Sequence, residues 1–226
     1  MKPYFMLGRA PIPGSPDELQ LWQHDREFTI RISGYVSELM NSRQHASEEA
    51  LAEYAVPLIS GRSAAHVLVG GLGMGFTLAA ALRVAGPDAT VTVAELVPEV
   101  VEWNRGPLGE VAAYPLNDSR ARVHVGDVGA LIRKSARTFD AILLDVDNGP
   151  EGMTQSGNDW LYKAKGLAAI RTALRPGGIL AVWSVEAVPR FTGALQRAGY
   201  SVDVRRARAR GDKGAWHTIW IARSPG

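Results

Sequence analysis

The first third of the chain shows two different spacings of apolar residues. Apolar side chains occupy every second position on either side of the polar segment HDRE, at Leu19, Leu21, Phe28, Ile30 and Ile32. Alternation of this kind is typical of half-buried strands, and two such runs around a polar turn predict a β-hairpin. The first 17 residues contain four prolines and two glycines, so an extended or irregular lead-in is expected before the hairpin.

From residue 42 onward the spacing becomes helical, in the segment SRQHASEEALAEYAVPLI. Ser47, which is followed by two glutamates, indicates a helix N-cap with acidic residues in the first turn. We therefore divide the chain into an N-terminal lead-in and hairpin, residues 1–46, and a second domain, residues 47–226.

After residue 62, short apolar runs alternate with helical segments. The predicted strands are AHVLVG, TVTVAE, ARVHVG, DAILLDV and GILAVWS, and helices are expected to begin near residues 75, 98, 127, 158 and 185. This alternation predicts a doubly wound, mostly parallel α/β sheet with right-handed crossovers. The last segment, YSVDVRRARARGDKGAWHTIWIARS, has two alternating runs and no helix between them. An antiparallel C-terminal hairpin is therefore expected to complete a seven-stranded sheet.

The first strand of this sheet runs directly into a glycine-rich segment, VLVGGLGMGF at residues 67–76. In an open α/β sheet, ligands bind beyond the carboxyl ends of the strands, where the first strand turns into its helix. Gly71, Gly73 and Gly75 lie in that turn, where the missing Cβ atoms let a ligand approach the main chain at a helix N-terminus. The alternative interpretation is a tight strand-to-helix turn without a ligand.

An acidic residue at the end of the second strand favours a nucleoside as the ligand. Glu95 follows Gly75 by twenty residues, and a carboxylate at this place accepts hydrogen bonds from both hydroxyls of a ribose. The alternative for Glu95 is a solvent-exposed acid at a strand end.

Composition narrows the function classes. The chain has 226 residues, of which 46% are hydrophobic, and its 25 basic and 23 acidic residues leave a net charge of +2. This small surplus is unlike the dense basic surface of a nucleic-acid-binding protein. The absence of cysteine excludes disulfides and thiolate metal sites, and the histidines show no paired spacing for a metal. With no long apolar run, we expect a cytoplasmic protein without a membrane segment, a metal or a nucleic-acid partner.

The glycine spacing distinguishes between nucleoside-binding classes. The dinucleotide fingerprint G-x-G-x-x-G would place a glycine at position 76, where this chain has Phe76. The observed spacing, G-x-G-x-G, resembles the first motif of the class I S-adenosylmethionine-dependent methyltransferases, which implies their methyltransferase-type sheet. Asp127, in the segment HVGDV, matches the place where such enzymes hold the adenine amino group. The other interpretation of Asp127, an N-cap for the following helix, stays open.

A narrower resemblance covers most of the chain from about residue 18. The hairpin, the helix QHASEEALAEYAVPL, the segment HVGDV and the acidic stretch LLDVDNGPEG resemble the spermidine synthases, also called polyamine aminopropyltransferases. In that family the last stretch reads D-S-S-D-P-x-G-P. The resemblance implies that Asp145 is the first aspartate, which assists the attacking amine, and that Asp147 or Asn148 lies near the second, in a loop one residue shorter. It also implies a possible homodimer built through the N-terminal hairpin.

Further site residues are implied by the same resemblance or by their type. Gln44 and Glu48 precede the sheet where that family closes over its nucleoside, although Glu48 is equally an ordinary first-turn glutamate. The long polar connection EGMTQSGNDWLYKAKG suits a lid over the acceptor. Trp160, Tyr162 and Trp183 are candidates for walls of the acceptor pocket, with core packing as the alternative. The sequence DNGP at residues 147–150 is also favourable for a simple turn.

One departure from the family pattern decides our expectation of the reaction. The family's glycine loop reads G-G-G-D-G-G, and its aspartate faces the amino group of decarboxylated S-adenosylmethionine. The segment here, GGLGMG, has no acid, which leaves main-chain N–H groups and a helix terminus that favour an anion. We therefore expect methyl transfer from intact S-adenosylmethionine to a small amine-bearing acceptor, with Asp145 as the base and Asp147 as the second candidate. The alternatives are aminopropyl transfer from the decarboxylated donor and a non-catalytic nucleoside-binding protein of the same fold.

Overall fold

The computed structural model describes residues 3–35, 37–146 and 159–226. Its N-terminal part is a four-stranded antiparallel sheet with the order β1-β2-β3-β4. The strands are β1 (Phe5–Pro11), β2 (Glu18–His24), β3 (Glu27–Ile32) and β4 (Glu38–Asn41). The predicted hairpin is confirmed as β2 and β3, in which Leu21 faces Ile30.

The lead-in is not irregular, because β1 lies within it and pairs with β2. The prolines at positions 3, 13 and 16 flank this strand, and Pro11 is its last residue. Prolines at the ends of an edge strand remove no hydrogen bond from the interior of the sheet. These prolines therefore mark the ends of β1 and do not prevent the strand from forming.

A ten-residue helix, α1 (Ala46–Ala55), follows this sheet and begins at the predicted domain boundary, which stays a prediction. The predicted N-cap is wrong: His45 occupies the cap position without a side-chain cap, and Ser47 lies inside the helix. The Ser47 hydroxyl is fully buried and hydrogen-bonds His217 Nδ1 at 2.7 Å. A distant tertiary partner therefore replaced the local capping interaction.

The second domain is the expected α/β sheet, confirmed with the strand order β10-β11-β9-β8-β5-β6-β7. Its elements are β5 (His66–Gly70), α2 (Phe76–Val84), β6 (Thr90–Glu95), α3 (Pro98–Arg105), β7 (Ala121–Val125), α4 (Val128–Lys134), β8 (Phe139–Leu144), α5 (Ala164–Ala173), β9 (Leu174–Ser184), α6 (Pro189–Arg197), β10 (Ser201–Arg210) and β11 (Lys213–Arg223). Strands β5 to β9 pair in parallel, and β11 is antiparallel to both β9 and β10. The direction of winding reverses between β5 and β8, which places the expected ligand crevice at their carboxyl ends.

The core lies on both faces of this sheet. Val67 and Val69 of β5 pack into one cluster together with α1, α2 and the N-terminal sheet, whereas Leu68 packs into the other cluster with α4, α5 and α6. Alternate residues of a strand point to opposite faces, so a continuous apolar run is required when both faces are covered. No helix within the described ranges is long and apolar enough to cross a membrane.

Candidate active site

A cavity of about 550 Å³ lies between the N-terminal sheet and the carboxyl ends of the central strands. The N-terminal sheet and its loops contribute an apolar wall that includes Ile12, Leu19, Ile30, Ile32, Leu39 and Met40. The opposite wall comes from the segments that follow β5, β6, β7 and β8. The volume is in the range of small-molecule sites in proteins.

The glycine segment after β5 forms part of this opposite wall. Gly71 and Gly73 line the cavity, and Gly71 has φ +88°. A Cβ atom at Gly71 would lie 2.5 Å from the carbonyl oxygen of Asp145. Gly75 is the left-handed residue at the N-terminus of α2 and packs against Asn104. Glycine at 71 and 75 is therefore required by backbone geometry, in addition to any contact with a ligand.

Glu95 holds the glycine segment in place. Its carboxylate is buried and accepts two main-chain hydrogen bonds, from Leu72 N–H and from Val97 N–H, each at 2.9 Å. Burial raises the pKa of Glu95, and these N–H donors oppose that effect. Each carboxylate oxygen has capacity for a further hydrogen bond, and Glu95 lines the cavity. The role of Glu95 in binding a ribose stays a prediction. Its hydrogen bond from Leu72 N–H stabilises the glycine segment, and the sequence did not predict this contact.

We expect Glu95→Ala to weaken nucleoside binding by about 1.5 to 3 kcal/mol, because a hydrogen bond to a charged group has that value. Titration of the folded variant with methylthioadenosine would measure the loss. The matched control is Glu99→Ala, which removes a carboxylate from the nearby helix α3 without changing the described cavity lining. An unchanged affinity in Glu95→Ala would exclude a contact between this residue and the nucleoside.

Asp127 lines the same cavity and also caps a helix. Its side chain accepts hydrogen bonds from Gly129 N–H at 2.8 Å and from Ala130 N–H at 3.0 Å, at the N-terminus of α4. The N-cap interpretation is confirmed. Because both oxygens already accept one bond each, an adenine contact would use the remaining lone pairs, and this role stays a prediction.

Asp145 and Glu48 are two carboxylates that line the cavity. Asp145 follows β8, and its Oδ2 accepts a 2.6 Å hydrogen bond from the hydroxyl of Thr77, in the first turn of α2. Glu48 reaches the cavity from α1. Burial raises the pKa of Asp145 to about 6. Burial, followed by the charges of Asp145 and Glu49, raises the pKa of Glu48 well above its ordinary value.

We expect this carboxylate pair to make the ligand-free protein less stable as the pH rises from about 4 to 7. A folded state with raised carboxyl pKa values binds more protons than the unfolded state, so its stability decreases when those protons leave. The shift of Asp145 from 3.8 to about 6 corresponds to about 2 to 3 kcal/mol. Urea unfolding at pH 4.5 and 7.5 should show a smaller pH dependence in Asp145→Asn, because this variant lacks the titration of Asp145 and removes its charge from beside Glu48. Asp203→Asn, at an exposed ion pair, should retain it, and an equal pH dependence in all three proteins would contradict the expectation.

The carboxyl groups in the described cavity lining are not matched by basic side chains. Its described lining contains the acidic residues Glu38, Glu48, Glu95, Asp127 and Asp145. Among the same lining residues there is neither lysine nor arginine, although the whole chain has a net charge of +2. Burial lowers the pKa of His217, another lining residue, which favours its neutral form. The cavity therefore favours a cationic ligand.

The contact between Ser47 and His217, beside the predicted wall residue Trp183, was not predicted from the sequence. His217 on β11 hydrogen-bonds Ser47 on α1, and its ring packs edge-on against Trp183 on β9 at a centroid distance of 4.8 Å. Both His217 and Trp183 line the cavity. The serine and the histidine are 170 residues apart in the chain, so no local pattern connects them.

The remaining predicted residues divide into three groups. Gln44 lines the cavity. Trp160 and Tyr162 are not among the described lining residues: the guanidinium of Arg133 lies 4.6 Å from the Trp160 ring, and the buried Tyr162 donates a hydrogen bond to Val146 O at 3.2 Å. Asp147, Asn148 and most of the expected lid lie outside the described residues. The roles of all these residues stay predictions.

Comparison with known proteins gives a consistent result. A family model described as the spermine/spermidine synthase domain matches residues 44–189. The polyamine aminopropyltransferase of Mycobacterium tuberculosis (strain H37Rv) is 32% identical over 148 residues, which is 62% of this chain and 27% of the relative. The chain thus spans about a quarter of the length of this curated relative.

Two solved structures have the same fold. A spermidine synthase in complex with the transition-state analogue AdoDATO has a TM-score of 0.72 and 18% identity, and the spermidine synthase from Thermotoga maritima has a TM-score of 0.70 and 17% identity. Each match covers 96% of this chain and 72% of the solved chain.

Proposed function

The chain belongs to the spermine/spermidine synthase family, and on that premise we propose that it transfers an aminopropyl group from decarboxylated S-adenosylmethionine to an amine acceptor. The observation that carries the proposal is the charge of the cavity, whose described lining has five acidic residues and no lysine or arginine. The decarboxylated donor bears a sulfonium and an ammonium, and a polyamine acceptor adds further positive charges. A negative cavity attracts both substrates.

The expectation of methyl transfer from intact S-adenosylmethionine is wrong. It is contradicted by the family match and by the polyamine aminopropyltransferase relative. The uncharged glycine segment favours an anion only when it is taken by itself. The carboxylate of the intact donor would enter a cavity whose described lining has five acidic residues and neither lysine nor arginine, and like charges at close range are unfavourable.

The reaction is a displacement at carbon. The neutral amine of the acceptor attacks the methylene carbon next to the sulfonium, a C–N bond forms, and the C–S bond breaks with its electron pair going to sulfur. Methylthioadenosine leaves, and the new ammonium loses a proton. Asp145 is the proposed proton acceptor, because it lies in the cavity and its pKa of about 6 makes it ionised yet basic near neutral pH.

Positioning provides the rest of the rate enhancement. Thr77 holds one oxygen of Asp145 through the 2.6 Å hydrogen bond, and the glycine segment is fixed by Glu95. Groups that are held before the substrates arrive lower the entropic part of the barrier. The apolar wall from the N-terminal sheet excludes water from the same space.

The test is product analysis with both donors. The purified protein is incubated with decarboxylated S-adenosylmethionine and a panel of diamines and polyamines, and mass spectrometry follows methylthioadenosine and the extended amine. Formation of both products in equal amounts supports the proposal. Formation of S-adenosylhomocysteine from intact S-adenosylmethionine, or nucleoside binding without any product, would contradict it.

The proposal includes a cytoplasmic homodimer, which stays a prediction. Edge strand β1 of the N-terminal sheet carries the exposed apolar side chains Phe5, Met6 and Leu7, and contact with a second copy would cover them. Sedimentation of the purified protein measures the oligomeric state.

A further inference from the structure

We propose that Glu48 binds the primary ammonium of the donor's aminopropyl chain and thereby supplies the negative charge that the glycine segment lacks. This inference rests on the proposed function, because it concerns how the same cavity recognises the decarboxylated donor. It assigns different tasks to two neighbouring carboxylates: Glu48 holds the donor, and Asp145 serves the acceptor amine.

The donor's ammonium requires a counter-charge in a cavity of this kind. Moving an ammonium from water into a partly buried site costs several kcal/mol unless an anion and hydrogen-bond acceptors receive it. Residues 70–75 read GGLGMG and contribute no side-chain anion. The charge must therefore come from another element that reaches the same end of the cavity.

Three of the five acids in the lining are already engaged. Glu95 accepts main-chain hydrogen bonds on both oxygens, and Asp127 does the same at the start of α4. Glu38 lies 3.9 Å from Arg31 and 3.8 Å from Arg43. Glu48 and Asp145 remain.

Glu48 differs from Asp145 in having no fixed partner. Within the described parts of the chain, no hydrogen bond or ion pair engages the Glu48 carboxylate, whereas Thr77 holds Asp145 at 2.6 Å. A carboxylate that is held in one orientation suits the base of the reaction. The unengaged carboxylate is left for the ammonium that does not react.

The position of Glu48 agrees with this division. Thr77 Oγ1 lies 3.3 Å from the main-chain oxygen of Glu48, which places this turn of α1 against the start of α2. Asp145 adjoins Gly71, since a Cβ atom there would meet the Asp145 main chain. Glu48 and Asp145 thus both lie close to the place where the glycine segment leads into α2.

An ammonium beside Glu48 would counter the causes that raise the pKa of this carboxyl group. The pKa of Glu48 is raised first by burial and then by the charges of Asp145 and Glu49. An ammonium placed beside Glu48 would reduce this penalty, because an opposite charge at close range favours the ionised form.

The test compares two nucleosides that differ in the ammonium. Decarboxylated S-adenosylmethionine carries it, and methylthioadenosine does not. We expect Glu48→Gln to weaken binding of the decarboxylated donor about 10- to 100-fold, the usual loss for a hydrogen bond to a charged group. The affinity for methylthioadenosine should change less than threefold. Glu48→Asp should recover part of the loss, since it keeps the charge.

The matched control is Glu49→Gln, on the same turn of α1. Glu49 contacts His45 and Arg83 and is not among the described lining residues, so neither affinity should weaken; loss of its charge would only favour the ionised form of Glu48. Circular dichroism and thermal unfolding establish that each variant is folded. The neutral Glu48→Gln should be at least as stable as the wild type, because it removes a buried charge.

Three results would overturn the inference. Equal weakening of both nucleosides would show that Glu48 only supports the site. Unchanged affinity for both nucleosides would show that Glu48 does not contact the donor. A raised KM for the acceptor with unchanged donor affinity would assign Glu48 to the acceptor. If the wild type does not bind the decarboxylated donor, the proposed function is wrong and this inference is wrong with it. The wild-type titration therefore distinguishes failure of the proposed function from failure of the role assigned to Glu48.

Discussion

Replacing Asp145 by asparagine is expected to lower the turnover of aminopropyl transfer by about 10²- to 10⁴-fold, the usual scale for loss of a general base. The amide has nearly the same shape as the carboxylate but cannot accept the proton that the amine must lose. Because the donor's ammonium is assigned to Glu48, affinity for the decarboxylated donor should change only a few-fold. Single-turnover kinetics with saturating donor separate the chemical step from binding.

The pH profile provides a second readout for Asp145. With a pKa of about 6, protonation below that pH removes the base, so kcat/KM of the wild type should decrease about tenfold per pH unit at the acid end. The part of this decrease that begins near pH 6 should be absent in Asp145→Asn, whereas the part due to protonation of the acceptor amine should remain. Thr77→Val is the matched variant: it removes the 2.6 Å hydrogen bond but keeps the carboxylate, and a smaller loss is expected. Full activity in Asp145→Asn would mean that positioning alone drives the reaction.

Replacing Asp140 by alanine is expected to reduce the free energy of unfolding by about 3 to 5 kcal/mol, the range for breaking a buried ion pair by removal of one partner. Asp140 is only 1% exposed, and its oxygens accept hydrogen bonds from Arg62 and Arg175, each at 2.7 Å, and from His66 N–H at 2.8 Å. The variant leaves two cations and the first N–H of β5 without their acceptor. Urea unfolding with an unchanged m-value measures the loss.

The control for Asp140 is Asp203→Ala. Asp203 pairs with Arg205 at 2.8 Å, but its side chain is 58% exposed, so its loss should cost less than about 0.5 kcal/mol. Asp140 and Asp145 lie near opposite ends of β8, about 16 Å apart at the rise of a strand. Asp140→Ala should therefore keep its kcat at a temperature where it is folded. A loss of stability below about 1 kcal/mol would contradict the role assigned to this ion pair.

Asp145 and Asp140 show which features of the structure a local sequence pattern predicts and which it does not. The alternation of strands and helices predicted the sheet, because a strand buried on both faces needs a continuous apolar run. The same pattern placed Asp145 and Glu95 at strand ends, where ligands of such sheets bind. Asp140 stands only five residues before Asp145 in the same acidic and apolar segment. Its buried pairing depends on Arg62 and Arg175, which are 78 and 35 residues away.

Two errors had the same physical origin. Ser47 followed by two glutamates is a normal capping pattern, yet its hydroxyl binds His217 from the last strand. The prolines of the first 17 residues suggested an irregular segment, yet β1 forms there because β2 offers it a partner. Local propensities are weak compared with the burial and hydrogen bonds that distant partners provide.

By itself, the sequence determined the doubly wound sheet, the glycine segment after β5 and the carboxylates that follow the strands, since each depends on neighbours within a few positions. Only the tertiary structure decided the charge of the cavity, because its acids at positions 38, 48, 95, 127 and 145 come from segments far apart in the chain and meet in one space. The uncharged segment GGLGMG, considered alone, favoured an anion, but electrostatic free energy depends on distance in space and on burial. The acidic walls that surround this segment therefore favour a cation.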